Sequence, residues 1–90
     1  MTIDHMELKV TADMMLSDDY KERFKAEYWQ TKIRYERLKK YNNRIEAADM
    51  MHRSGPPHDC PSFLLNEQQE IMGRYLHLLE VRAEIEEIEL

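Results

Sequence analysis

Three side chains in HRSGPPHDCPS, residues 52–62, have the chemistry of metal ligands: His52, His58 and Cys60, with Asp59 as a possible fourth donor. Their spacing is His-x5-His-x-Cys. Structural zinc sites repeat two pairs of ligands set two to four residues apart. Here there is one loose cluster without a second pair, and His5 or His77 would have to be recruited from elsewhere in the chain. A metal-dependent hydrolase on His52, His58 and Cys60 is therefore the minor reading. Beside a helix start the Cys60 thiol would have a lowered pKa. A nucleophile also needs an orienting base, and His58 in the same loop is poorly placed to be one. The stretch also holds all three prolines and one of the two glycines, and a turn accounts for every residue in it. Gly55 allows a left-handed helix C-cap, Pro56 and Pro57 prevent continuation, and Pro61 restarts a helix at N1 with Cys60 or Asp59 at its N-cap.

Two further constellations suit anions rather than metals. Arg82 falls within an apolar stripe that includes Tyr75, Leu78 and Ile85. A buried guanidinium requires a carboxylate or another anion. A glutamate such as Glu27 would serve, and a phosphate ligand would suit the planar fork equally. Lys21, Lys25, Lys32 and Lys39 lie along one helical edge beside Tyr28 and Tyr35. Such an edge ordinarily pairs with acids in solvent. Together Tyr28, Lys32, Tyr35 and Arg82 could also hold a phosphorylated, base-bearing ligand by charge and stacking. Catalytic templates are missing: the chain contains no Gly-rich phosphate loop, HExxH or GxSxG,. The acidic run Glu80, Glu84, Glu86, Glu87 and Glu89 lacks the ExxH spacing of di-iron bundles, because Arg74 stands three residues before His77,. The expectation is a binding protein without catalytic residues, metal or cofactor.

These side chains need long helices to carry them. Asp19 with Glu22 forms a capping-box-like start, and no glycine or proline follows until Gly55,. Tyr28, Thr31, Tyr35, Leu38, Asn42 and Ile45 fall within roughly 60° of Phe24 on a helical wheel. The pattern predicts a helix over residues 18–51. Leu64, Ile71, Leu78 and Ile85 repeat every seven residues, with Gln68, Tyr75 and Arg82 between them and Leu65, Met72 and Leu79 widening the stripe. That stripe predicts a second helix over 61–89, in which Gly73 marks a close helix–helix approach. Residues 1–16 form a lead-in, extended or helical, and 52–60 form the turn. The predicted architecture is one all-α domain over 1–90, an antiparallel two-helix hairpin. Residues 19–48 carry nine Lys or Arg against five acids, and residues 61–90 carry two Arg against seven acids. The hairpin would thus lay a basic helix along an acidic one.

A hairpin covers one face of each helix. Trp29 and Ile33 lie opposite the Phe24 stripe, and Leu76 and Val81 lie off the Leu78 stripe, so all four would be bare. Bare apolar faces of this kind mark partners, unless Trp29 merely caps the lead-in segment. A homo-oligomer is expected, with a four-helix bundle of two hairpins as its simplest form. The net charge of −5 disfavours DNA or RNA as a polymeric partner,. One cysteine suits a reducing cytoplasm,, and the chain shows neither a signal-peptide pattern nor a membrane-spanning apolar run.

Two blocks carry a resemblance. DYKERFKAEYWQTKIRYERLKK, residues 19–40, and CPSFLLNEQQEIMGRYLHLLEVRAEIEEIEL, residues 60–90, resemble small proteins of crAss-like and other gut phages and prophages. The connector AADMMHRSGPPHD departs from the short Gly-Thr-Leu and Phe-Thr-Pro type loop of those proteins. The resemblance implies a phage origin, a helical hairpin and no catalytic residues. In outline the chain is also similar to phage helical-hairpin sponges, which oligomerise and sequester nucleotide second messengers of bacterial immunity. That likeness implies a counter-defence protein in the cytoplasm of an infected bacterium. Its ligand would be a cyclic oligonucleotide or ADP-ribose derivative, held at a subunit interface by Arg82, Lys32, Tyr28 and Tyr35. The alternative is a module that inhibits a host protein through the Trp29/Ile33 face.

Overall fold

The computed structural model describes residues 7–90; the first six residues of the lead-in, His5 among them, lie outside the described residues. The described residues form three helices and no strand: α1 Leu8–Met15, α2 Tyr20–Met50 and α3 Ser62–Glu86. The chain is all-α, with one helix more than the two expected. The added element is the lead-in, where Thr11 is fully buried and its hydroxyl donates to the Leu8 carbonyl at 2.6 Å.

Local chemistry sets the helix ends. Asp19 is the N-cap of α2, and its carboxylate accepts the Lys21 N–H at 3.0 Å. Ser17 Oγ in turn accepts the Asp19 N–H at 3.1 Å, and Glu22 places a negative charge in the first turn,. From there α2 runs 31 residues, about 46 Å at 1.5 Å per residue,. It ends with His52 in the left-handed region, at φ 53°. The Arg53 N–H donates to the Ala48 carbonyl at 2.8 Å and the His52 N–H to the Asp49 carbonyl at 3.2 Å. These are the paired bonds of a Schellman motif. The left-handed residue is thus His52, not Gly55. Gly55 instead sits against the end of α2, where an added Cβ would lie 3.0 Å from Ala48 Cβ. Pro61 is itself the N-cap of α3 rather than its first helical residue, and its carbonyl accepts from Leu64 and Leu65. At the far end Glu87 is left-handed, at φ 56°, and the Ile88 N–H returns to the Ala83 carbonyl at 2.8 Å. That turn folds Ile88 into the core.

Helix α2 is buried on two opposite faces. One face holds Phe24, Tyr28, Asn42 and Ile45; the other holds Ala26, Trp29 and Ile33. The first meets α3 and the second is covered by α1, whose Leu8 and Met14 pack on the core. Trp29 and Ile33, expected to be bare, are only 8% and 6% exposed. The interaction face assigned to them is therefore occupied by the chain's own first helix. Along the α2–α3 seam Tyr20 meets Glu86, Tyr28 meets Glu80 and Asn42 meets Gln69, so α3 returns along α2 in the opposite sense.

The face that α3 turns inward is the flank of the predicted stripe, with Leu65, Met72 and Leu79, rather than its seven-residue line. Leu76, Leu79 and Ala83 are buried, with Leu65, Gln69 and Met72 half-buried above them. This row steps by four and three residues, the spacing of one helix face. The seven-residue stripe points away: Leu64, Ile71, Leu78 and Ile85 are 46%, 49%, 60% and 75% exposed. Gly73 borders the inward row, and an added Cβ there would lie 3.3 Å from Tyr35 Cε1. A glycine there leaves room for the tip of the Tyr35 ring beside α3, so the close contact at this position is with a side chain.

Leu79 is almost fully buried. Leu79→Ala should lower stability by about 2–5 kcal/mol, which a chain of this size can barely spare. His52→Gly should raise it by up to about 1 kcal/mol, because glycine carries no steric penalty at positive φ. Urea denaturation followed by circular dichroism measures both.

Candidate ligand groove

The four residues singled out for ligand binding occupy two places. Tyr28 is buried, its ring edge-on to Trp29 with centroids 5.2 Å apart, and its hydroxyl donates to Glu80 Oε2 at 2.6 Å. Burial, and then that hydrogen bond, push its pKa well above the ordinary 10.0. Four residues on, Lys32 Nζ lies 3.2 Å from Glu36 Oε1 and 5.7 Å from the Tyr35 ring centroid. Tyr35 is half-buried against Gly73. Lys32 and Tyr35 thus lie side by side on the α2 edge, whereas Tyr28, read as part of the same ligand-binding edge, is buried in the core.

Arg82 stands elsewhere. Along α3 it is nine residues from Gly73, about 14 Å at the helical rise. It is also not buried. Its guanidinium lies 5.0 Å from the Phe24 ring centroid, Nε donates to Glu86 Oε2 at 3.0 Å, and Nη2 donates to the Tyr20 hydroxyl at 2.7 Å. The Tyr20 hydroxyl donates to Glu86 Oε1 at 2.8 Å, closing a three-residue ring. The hydrogen bond from Tyr20, followed by Arg82, holds the Glu86 carboxyl below its usual range against an opposing burial effect. The partner of Arg82 is therefore Glu86 of its own helix, not Glu27, which accepts from the Tyr75 hydroxyl instead. The basic and acidic helices do not pair by charge. Among the described residues all three ion pairs lie within one helix, at i,i+3 or i,i+4 spacing. Tyrosine hydroxyls on glutamate carboxylates join α2 to α3.

A groove of about 980 Å³ opens along α3. Tyr35 and Gly73 line it, with Ile71 and Leu78 of the exposed stripe and the polar side chains Arg74 and His77. Arg74 and His77 carry no special signal in the sequence; Gly73 does, and the Tyr35 ring tip lies against it. The groove offers an aromatic face, an aliphatic wall, a guanidinium and an imidazole. That set suits a ligand with both a flat apolar part and an anionic part.

The connector has the geometry of a turn. His58 Nδ1 lies 2.6 Å from the Cys60 carbonyl oxygen, and His52 is taken up by the α2 cap. Among the described residues no three His, Cys, Asp or Glu side chains gather as a metal site, and no helix is long and apolar enough to cross a membrane.

The raised Tyr28 pKa makes a pH prediction. The folded chain holds that proton more tightly than the unfolded chain, so the contribution to stability is complete below pH 10.0 and fades as pH rises above it,. Tyr28→Phe should cost about 0.5–1.5 kcal/mol at neutral pH and should flatten the alkaline loss of stability, measured by thermal melts from pH 7 upward.

Comparison with known proteins agrees with a binding role. No curated protein and no solved structure matches the chain. A family model does match, over residues 18–85, which takes in α2, the connector and nearly all of α3. That span is well over half of the chain and includes Tyr28, Lys32, Tyr35, the groove and Arg82, and it places the protein in the Sequestin family.

Proposed function

We propose that this chain is a non-enzymatic phage counter-defence protein. It sequesters a nucleotide-derived immune signal, a cyclic oligonucleotide or an ADP-ribose derivative, at an interface between copies of itself in the cytoplasm of an infected bacterium. The family name speaks of sequestration. The observation that carries the reading is the groove over Gly73, where the Tyr35 face lies beside the cations Lys32 and Arg74. A nucleotide presents the complementary pair, a base to stack and a phosphate to bind. Tyr28, whose hydroxyl ties α2 to Glu80 of α3, supports the scaffold beneath, and Arg82 supplies a second guanidinium. A sequestering protein gains nothing from turnover, so affinity and copy number alone would set its effect.

Isothermal titration of the purified protein with a panel of cyclic di- and trinucleotides and ADP-ribose derivatives tests the proposal. At least one member should bind with a micromolar or lower Kd, and Tyr35→Ala and Lys32→Ala should each weaken it about tenfold or more, by loss of stacking or charge. The bound signal should be recovered chemically unchanged. No binding across the panel rejects the reading.

A further inference from the structure

The connector end of α2 collects positive charge that the fold leaves unneutralised. Residues 37–45, RLKKYNNRI, hold four cations and no acid, in a chain whose net charge is −5. Arg37, Lys40 and Arg44 follow one another at steps of three and four, so they share one face, and all three are exposed,. One turn beyond Arg44 stand Ala47 and Ala48, and one turn before it stand Lys40 and Tyr41. Arg44 therefore has no carboxylate at the spacing that forms helical ion pairs. The helix dipole does not account for it either, because the last turn of α2 holds no basic residue,.

The connector brings a second guanidinium to the same place. The Arg53 N–H donates to the Ala48 carbonyl at 2.8 Å, and an added Cβ at Gly55 would lie 3.0 Å from Ala48 Cβ. The start of the connector is thus folded back onto α2. A pocket of about 310 Å³ lies between the two, lined by Arg44, Arg53 and Ser54 with the small side chains of Ala47 and Ala48. Among the described residues neither arginine has an ion pair. Arg53 Nη2 rests on Met51 Sδ, a weak acceptor that an anion would readily replace,. Two like charges on one pocket repel each other, and an anion seated between them turns that repulsion into attraction.

We propose that this pocket is a phosphate site, separate from the groove, which takes the terminal phosphate of a small soluble phosphomonoester. A guanidinium fork fits phosphate oxygens in pairs. The three donor groups, Arg44, Arg53 and Ser54, match the three free oxygens of a phosphomonoester, where a carboxylate offers two. The volume stands at the lower end of the range for small-molecule sites, about 300–1,000 Å³, which suits a compact ester. The net charge of −5 sets the chain as a whole against a polyanion,. Arg44 and Ala48 stand nine and thirteen residues past Tyr35, about 14 and 20 Å along α2, so the groove and this pocket fill independently.

Nuclear magnetic resonance of the full, isotope-labelled chain tests this, with inorganic phosphate and glycerol phosphate as probes at an ionic strength held constant by chloride. Both should move the amide signals of Arg53, Ser54 and Gly55 along a saturating curve, and acetate should bind about tenfold or more weakly. Arg44→Gln and Arg53→Gln should each weaken phosphate binding about tenfold, with helix content unchanged because both side chains are exposed. Arg37→Gln, on the same face but outside the pocket, should change it by less than about twofold. Tyr35→Ala should leave it intact, whatever that variant does to the signal panel. Shifts that never saturate, acetate binding as well as phosphate, or equal losses in Arg37→Gln and Arg44→Gln overturn the proposal. So does tighter binding, through Arg44, of duplex DNA or of vesicles containing anionic lipid, which would make the ligand a polyanion.

Discussion

Everything in this fold hangs on α2 being buried on both sides. A surface helix usually hides one stripe, yet this one hides Phe24, Tyr28 and Ile45 toward α3, and Ala26, Trp29 and Ile33 toward α1. Each large apolar side chain so buried contributes about 1.5–3 kcal/mol. That contribution has to offset the entropy of ordering a 31-residue rod,. Neither neighbour could be removed without stripping half of the core from α2. The arrangement also explains how a chain of 90 residues keeps a wide cleft at its surface. The core is spread along a central axis, so one flank of α3 is released from packing and can be shaped by Gly73 and Tyr35 instead.

The helices themselves were legible. The Asp19 start, the long span without glycine or proline and the proline-rich turn each have a local physical cause, and α2 and α3 lie within a few residues of their expected limits. What misled was orientation. The repeat of Leu64, Ile71, Leu78 and Ile85 is the strongest periodicity in the chain, and it reads as the seam of a hairpin. Periodicity reports that a helix will cover a stripe, not which helix. The inward row of Leu65, Met72, Leu76, Leu79 and Ala83 is interrupted by Gln69, and this weakens its signal. Gln69 earns its place only through Asn42, which donates to its side chain at 2.9 Å. That tertiary bond is invisible in sequence.

The same limit governed the site. Lys32 and Tyr35 follow from helical spacing and lie side by side, while Tyr28 is drawn into the core against Trp29. Arg82 looked buried because the stripe around it looked buried, and it is half-exposed because the stripe is turned outward. Likewise, of the two readings of Trp29, a foreign partner or a contact with the lead-in, the second holds, and Ile33 is covered with it. LKVTADMM is a weak helix pattern by itself, and it becomes a helix by closing over α2. Arg74 and His77 are ordinary surface residues until Gly73 draws Tyr35 to the groove between the helices.

The way α2 and α3 are joined has a consequence for the conditions the molecule tolerates. Tyr20, Tyr28 and Tyr75 each donate a neutral O–H to a carboxylate on the facing helix. Dissolved electrolyte weakens attraction between opposite charges but has little hold on a short hydrogen bond from an uncharged donor. Brine that would loosen helices zipped by lysine and glutamate should leave these two clasped, so the scaffold keeps its form across large swings in ionic strength.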